Sequence, residues 1–260
     1  MSAVHCAGHW SLSRHRYGHR RELAHRGHNV TLVARREELL QSLADEISAK
    51  HGVTADVIAC DLADAADRAK LIEKVHRNGR HVDVLVNSAG FATGGRYVSS
   101  DADREVEQVR VLVEAPVALT SAFLPGMVER HQGAILNVAS TAGLQPMPWS
   151  TGYSAAKAHT VAFSQALSAE VRREGITVTA LCPGPVKTDF WEVAGDQPIE
   201  KAMPRLLWRS PAAVAKYGIK SLDRGHRLAV PGLAVRLLTF GGSLTPTGVK
   251  LAMFERSMRP

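Results

Sequence analysis

The chain of 260 residues carries a tyrosine and a lysine four positions apart, in Tyr153-Ser154-Ala155-Ala156-Lys157, with Ser140 thirteen residues before the tyrosine. Positions i and i+4 share a helix face, so on a helix the Lys157 ammonium lies near the Tyr153 phenol and favours its phenolate. A phenol that otherwise titrates near ~10 is thereby brought toward working pH as a general acid or base. Ser140, at the end of a preceding strand, is placed to hydrogen-bond a substrate oxygen as charge develops on it. The three form a proton-transfer set suited to interconverting a carbonyl and an alcohol.

Such a set needs a strand to end at the serine and a helix to begin at the tyrosine, and the surrounding pattern supplies both. Short β-branched runs alternate with helix-period segments, the signature of βαβ units and a parallel sheet. Strands are expected at 30–34, 54–59, 82–87, 134–139, 177–182 and 227–230, and helices at 36–50, 64–77, 101–129, 154–174 and 211–224, with Pro116 kinking the longest. The fold class expected is α/β, a doubly wound parallel sheet of Rossmann-like type in a single domain over 21–230. An apolar but irregular stretch at 190–210, with Phe190, Trp191, Met203, Leu206, Leu207 and Trp208, suits a lid over an apolar ligand. The weakly patterned 231–260 reads as a peripheral tail.

Further motifs stand where strands end. Asn87-Ser88-Ala89-Gly90 closes one, and its small Ala89 and Gly90 let a cofactor lie against the backbone at the carboxyl ends of the strands. Pro183-Gly184-Pro185-Val186-Lys187-Thr188 follows another, Asp61-Leu62 a third, and Ala34-Arg35-Arg36 a fourth. With Ser140, Tyr153 and Lys157 at their spacing, the chain resembles the short-chain dehydrogenase/reductase family from about residue 21 to 189.

The resemblance implies a nicotinamide cofactor. It places Asn87, Ala89, Gly90, Tyr153, Lys157, Pro183 and Gly184 about it, Val186 and Thr188 at the carboxamide, and Asp61 and Leu62 at the adenine. Arg35 and Arg36 stand where an NAD-specific member has an acid for the ribose, and arginine there suits a 2′-phosphate, so NADP(H) is preferred over NAD(H). The family asparagine that positions a water in the proton relay falls at Leu112. Family members commonly assemble through the helix carrying the tyrosine, so a homo-oligomer is implied.

One departure is large. The family's Thr-Gly-x-x-x-Gly-x-Gly turn, whose glycines let a diphosphate reach a helix amino terminus, is missing from residues 1–20, and no first strand is legible there. Permitted codons for His9–His19, read one base forward, spell Thr-Gly-Ala-Ser-Arg-Gly-Ile-Gly-Thr-Ala, and those for Val4–Gly8 spell Ser-Ile-Val-Leu-Val. The aberrant segment thus reads as the family's first βα unit out of frame, leaving that unit degenerate. Two other functions follow from it: a scaffold that has lost cofactor binding, or a basic, histidine-rich arm that binds nucleic acid or metal.

Composition narrows these. Of the formal charge of +7, residues 1–28 carry five arginines against Glu22, and six of the twelve histidines, so little excess charge remains for a nucleic-acid surface. No carboxylate or cysteine set completes a metal shell around the histidines, and no metal or nucleic-acid partner is expected. Cys6, Cys60 and Cys182 are odd in number and far apart, which suits a reducing cytoplasm. No uninterrupted apolar run approaches the ~20 residues of a membrane span. The expected reaction is NADP(H)-dependent carbonyl/alcohol interconversion on an apolar small-molecule substrate, lipid-like or aromatic.

Overall fold

A computed structural model describes residues 18–77, 81–187, 204, 207–243 and 245–258, and 2–7 as backbone. Seven strands form one parallel sheet: β1 Ser2–Ala7, β2 Asn29–Ala34, β3 Ala55–Ala59, β4 Val84–Ser88, β5 Gly133–Val138, β6 Ile176–Leu181 and β7 Leu228–Ala229. Their spatial order is β3-β2-β1-β4-β5-β6-β7, so the chain reverses direction across the sheet between β1 and β4. That reversal leaves a crevice at the strands' carboxyl ends, the place where open α/β sheets bind ligands.

The central strand corrects the reading of residues 1–20 as strandless. Ser2–Ala7 pairs in parallel with both neighbours, Cys6 opposite Val33 on one side and Asn87 on the other. Ladder bonds are made by backbone groups, which every non-proline residue carries, so Ser2–Ala7 pairs with both neighbours without an uninterrupted apolar run. Helix α1, Gly18–His25, follows, so both backbone elements of the first βα unit are present. Residues 8–17, where the glycine-rich turn would stand, lie outside the described residues.

Helices cover both faces. Leu23 of α1, Leu40 of α2 (Glu37–His51) and Val214 and Ile219 of α7 (Pro211–Asp223) pack with Leu32, Val86 and Leu136 on one side. Leu71 of α3 (Ala65–Arg77), Leu119 and Phe123 of α5 (Ala115–Glu129) and Val171 of α6 (Thr151–Val171) pack with Val33, Leu85 and Val178 on the other. Strands β2, β4, β5 and β6 are therefore covered on both faces, which is why they read as largely continuous apolar runs rather than alternating ones.

The long helix expected at 101–129 is α4 (Ala102–Val109), a π turn at Arg110–Glu114, and α5. Pro116 sits in the first turn of α5, and having no N–H it cannot bond the carbonyl four residues back. The irregularity expected at the proline is thus taken up one turn earlier as a widened helix. The stretch Ala102–Glu129 has the length and apolarity to cross a membrane. Its Val111, Leu112, Ala115, Leu119, Phe123 and Met127 are buried in the domain instead.

The tail also differs from its reading, forming helices α8, Leu233–Ser243, and α9, Thr247–Met258. Of the expected lid, Pro204 and Leu207 to Ser210 are described, and Arg209 bridges to Val186 in parallel. The remainder lies outside the described residues.

Candidate active site

β5 ends at Val138, and Ser140 caps the 3₁₀ turn Thr141–Leu144 that follows. The Ser140 hydroxyl oxygen accepts the Ala142 N–H at 3.1 Å. With one lone pair so engaged, its O–H can donate to another oxygen. The turn presses on α6: a Cβ on Gly143 would lie 2.5 Å from the backbone carbon and oxygen of Lys157. Glycine at 143 thus sets how closely the serine's turn approaches the helix that carries the other two groups.

Tyr153 lies in the first turn of α6 and Lys157 one turn on. The lysine is only 6% exposed and its ammonium donates to the Val138 carbonyl at 2.7 Å. That bond ties the helix to the strand end next to Ser140 and holds the cation 5.7 Å from the centre of the Tyr153 ring. A buried ammonium held in place acts through a lower dielectric than water, so its field on the phenol is stronger than a surface lysine's.

A cavity of about 400 Å³ opens over this group, lined by Ser140, Tyr153 and Lys157 together with Ala89, Gly90, Pro183, Gly184 and Val186. At Gly90 a Cβ would collide with the Leu112 Cδ2, and the Lys157 ammonium lies 3.8 Å from that same point. Leu112, buried in the π turn, therefore presents methyl groups beside Gly90, at the position where the resemblance implies an asparagine.

Asn87 is 5% exposed, and its side chain faces inward, where its Nδ2 donates to Asn137 Oδ1 at 2.8 Å. Asn137 Nδ2 donates to Ser164 Oγ at 2.9 Å, and Ser164 to the Thr160 carbonyl at 2.6 Å. The chain of bonds links β4 and β5 to α6 beneath the site. Asn137 and Ser164 escaped sequence reading because neither belongs to a local motif; only an asparagine inside an otherwise apolar strand signals a buried network.

The remaining expected positions lie at the far end of the sheet. Arg35, at the end of β2, has its Nη1 4.0 Å from Asp61 and 3.9 Å from Glu107 of α4. Arg36 is exposed at the amino end of α2. The Leu62 side chain is buried in the core, and its carbonyl accepts the Arg68 Nη1 at 2.7 Å, so only its backbone edge remains for a ligand. Thr188 lies outside the described residues.

Several cavity residues were not anticipated, three of them from the two ends of the chain. Gly18 and His19, at the start of α1, line it, as does Phe254 of α9. Burial and the neighbouring Arg20 lower the His19 imidazole to about 4, so it is neutral at working pH. Cys182, just beyond β6, is pushed up to about 12 by burial and is no nucleophile beside the site. Among the described residues no group of histidine, cysteine and carboxylate side chains is arranged to hold a metal ion.

Comparison with known proteins agrees with this geometry. The chain is 33% identical over 211 residues to a very-long-chain 3-oxoacyl-CoA reductase of Anas platyrhynchos, covering 79% of this chain and 66% of that protein. It is 35% identical over 193 residues to a short chain dehydrogenase of Pseudocercospora fijiensis, 71% of this chain and 62% of the relative, so it spans less than two thirds of either. A short-chain dehydrogenase from Sphingobium yanoikuyae, solved in complex with NADPH, superposes with a TM-score of 0.81 at 25% identity, covering 97% of this chain and 95% of that one. The short chain dehydrogenase family profile matches residues 19–198, which include most of the described sheet and Ser140, Tyr153 and Lys157. With seven parallel strands in this order and that match over more than half its length, the chain belongs to the short-chain dehydrogenase family.

Proposed function

We propose that the protein is an NADP(H)-dependent oxidoreductase that interconverts a ketone and a secondary alcohol on a substrate with a long or bulky apolar portion. The observation that carries this is the convergence of Ser140, Tyr153 and a buried, strand-anchored Lys157 on one cavity.

The cavity's residues fit a nicotinamide cofactor. Gly90 and Ala89 leave the wall flat, Pro183 to Val186 form the opposite side, and Gly18 brings the amino end of α1, the end that favours a diphosphate's negative charge, to the same space. When bound in its reduced form, the cofactor supplies the hydride that adds to the carbonyl carbon. Tyr153 gives its phenolic proton to the carbonyl oxygen, completing the alcohol, and takes it back in the reverse direction. Ser140 donates a hydrogen bond to that oxygen and orients it. Lys157 steadies the phenolate left behind. Leu112 puts no amide beside Lys157, so the proton returns to Tyr153 by a route that does not use a side chain at 112.

Arg36 is the exposed partner for a 2′-phosphate, since Arg35 already faces Asp61 and Glu107. NADPH in complex with the Sphingobium relative supports the same preference. Met147, Val186, Val214 and Phe254 make the cavity wall largely apolar, and the matched 3-oxoacyl reductases are named for acyl substrates, which supports an apolar one here. A homo-oligomer in the cytoplasm completes the proposal.

A second reading, a scaffold without dinucleotide binding, is favoured by the absence of a Thr-Gly-x-x-x-Gly-x-Gly sequence between Ala7 and Gly18. Titration with NADPH, beside a version carrying the frame-restored segment, separates the two. Binding by the chain as written supports the enzyme; binding by the restored version alone supports the scaffold. The first outcome brings a further expectation: Arg36→Asp lowers kcat/KM with NADPH about tenfold or more relative to NADH, the value of one charge-assisted contact. An unchanged ratio refutes the NADP(H) preference.

A further inference from the structure

Helix α8 is apolar on two sides. Val235 is buried against the core cluster that includes Ala139, Val161 and Val230, which fixes the helix on the domain. Leu233, Leu237 and Phe240, at i, i+4 and i+7, nevertheless stand 68%, 65% and 47% exposed, with Leu238 beside them at 63%. Helix α9 repeats the arrangement: Phe254 lines the cavity while Val249 and Met253, one turn apart, face out at 51% and 65%. Single exposed leucines are ordinary, but six large apolar side chains on two consecutive short helices are not.

The charges around them are of one sign. From 231 to 260 the chain carries Arg236, Lys250, Arg256 and Arg259 against Glu255 alone. By helical spacing Arg236 flanks the Leu233, Leu237, Phe240 stripe, and Arg256 continues the Val249, Met253 stripe. A second copy of the chain meeting this face about a two-fold axis would set these arginines against their own kind, with one carboxylate per copy to offset them. An anionic surface with an apolar interior offsets both features together. The apolar helical stretch Leu233–Gly242 is far too short to span a bilayer, so it would lie in the interface plane.

We propose that α8 and α9 dock the protein on anionic lipid bilayers, the leucines and Phe240 entering the headgroup boundary and Arg236, Lys250 and Arg256 meeting the phosphates. The docked face is then the outer side of the helix whose inner side, at Phe254, borders the catalytic cavity. The inference rests on the surface alone and holds whether or not the cofactor assignment does.

Flotation of the purified full chain with phosphatidylcholine vesicles, with and without phosphatidylglycerol, tests it. The protein is expected to float with the anionic vesicles and to be released by high salt. Leu237→Glu with Leu238→Glu is expected to weaken binding at least about tenfold, since two leucines no longer leave water. Both positions are exposed, so the fold is expected to survive. Leu237→Ser with Leu238→Ser serves as a second variant should the charged pair impair folding. Failure to float with anionic vesicles overturns the proposal, as does binding that neither variant weakens. It is also overturned if sedimentation shows that the face joins two copies and the variants yield monomers while wild type ignores lipid.

Discussion

Lys157 uses one ammonium for two purposes: it fastens α6 to the Val138 carbonyl, and it sets a positive charge near the Tyr153 ring. This part of the site was legible in advance because Tyr153 and Lys157 lie one helical turn apart, so local geometry alone places them together. His19 was not, because only the packing of α1 against α7 brings it to the cavity wall, and no periodicity in the sequence records that contact. Its burial has a consequence for stability. The folded imidazole titrates near 4 and the unfolded one near 6.5, so between those values the unfolded chain binds more protons than the folded one. Stability from this group is full above 6.5 and falls as pH drops toward 4, with a limiting slope of about 1.4 kcal/mol per pH unit. Denaturant unfolding across that range is expected to show the loss, and His19→Gln to reduce its slope; an equal slope in the variant removes His19 as its source.

Elements reach their places through contacts that the sequence hides. Strand β1 went unread because Ser2–Ala7 lacks an apolar run, although its backbone pairs with β2 and β4 along its length. The tail helices went unread because both of their faces carry apolar residues and blur the 3.6-residue period. The meeting of the Ser140 turn with α6 depends on Gly143, whose missing Cβ admits the Lys157 backbone. Backbone atoms cannot rotate aside, so Gly143→Ala is expected to part the turn from the helix, costing about 1–3 kcal/mol of stability. It should also lower kcat/KM by about tenfold to a hundredfold, because a serine misplaced by an ångström no longer orients the oxygen. Unchanged kinetics would mean that the turn's position does not matter to the reaction. The Asn87–Asn137–Ser164 chain joins β4, β5 and α6. Asn137→Ala strands buried groups on both sides and is expected to lower unfolding free energy by about 2–4 kcal/mol; a loss under about 0.5 kcal/mol, the usual size of a surface substitution, would show that the network carries little.

Across the whole molecule, the strand order β3-β2-β1-β4-β5-β6-β7 brings three separated parts of the chain to one crevice: the end of β4 at Gly90, the end of β5 at Ser140, and the end of β6 at Pro183. The alternation of short apolar strands with helical segments made this architecture legible, since buried parallel strands need helices on both faces. It could not reveal that α9 would return Phe254 to the same crevice, which depends on chain distant in sequence from every motif. The sheet thus holds Tyr153 and Lys157 over the cavity whatever the substrate. The most direct test of their role is the rate of NADPH oxidation with a bulky apolar ketone by wild type and Tyr153→Phe, with NADPH binding measured on both. Removing only the phenolic hydroxyl is expected to lower kcat about a hundredfold or more while the cofactor still binds. Turnover by the phenylalanine variant at the wild-type rate would contradict the assignment of Tyr153 as the proton donor.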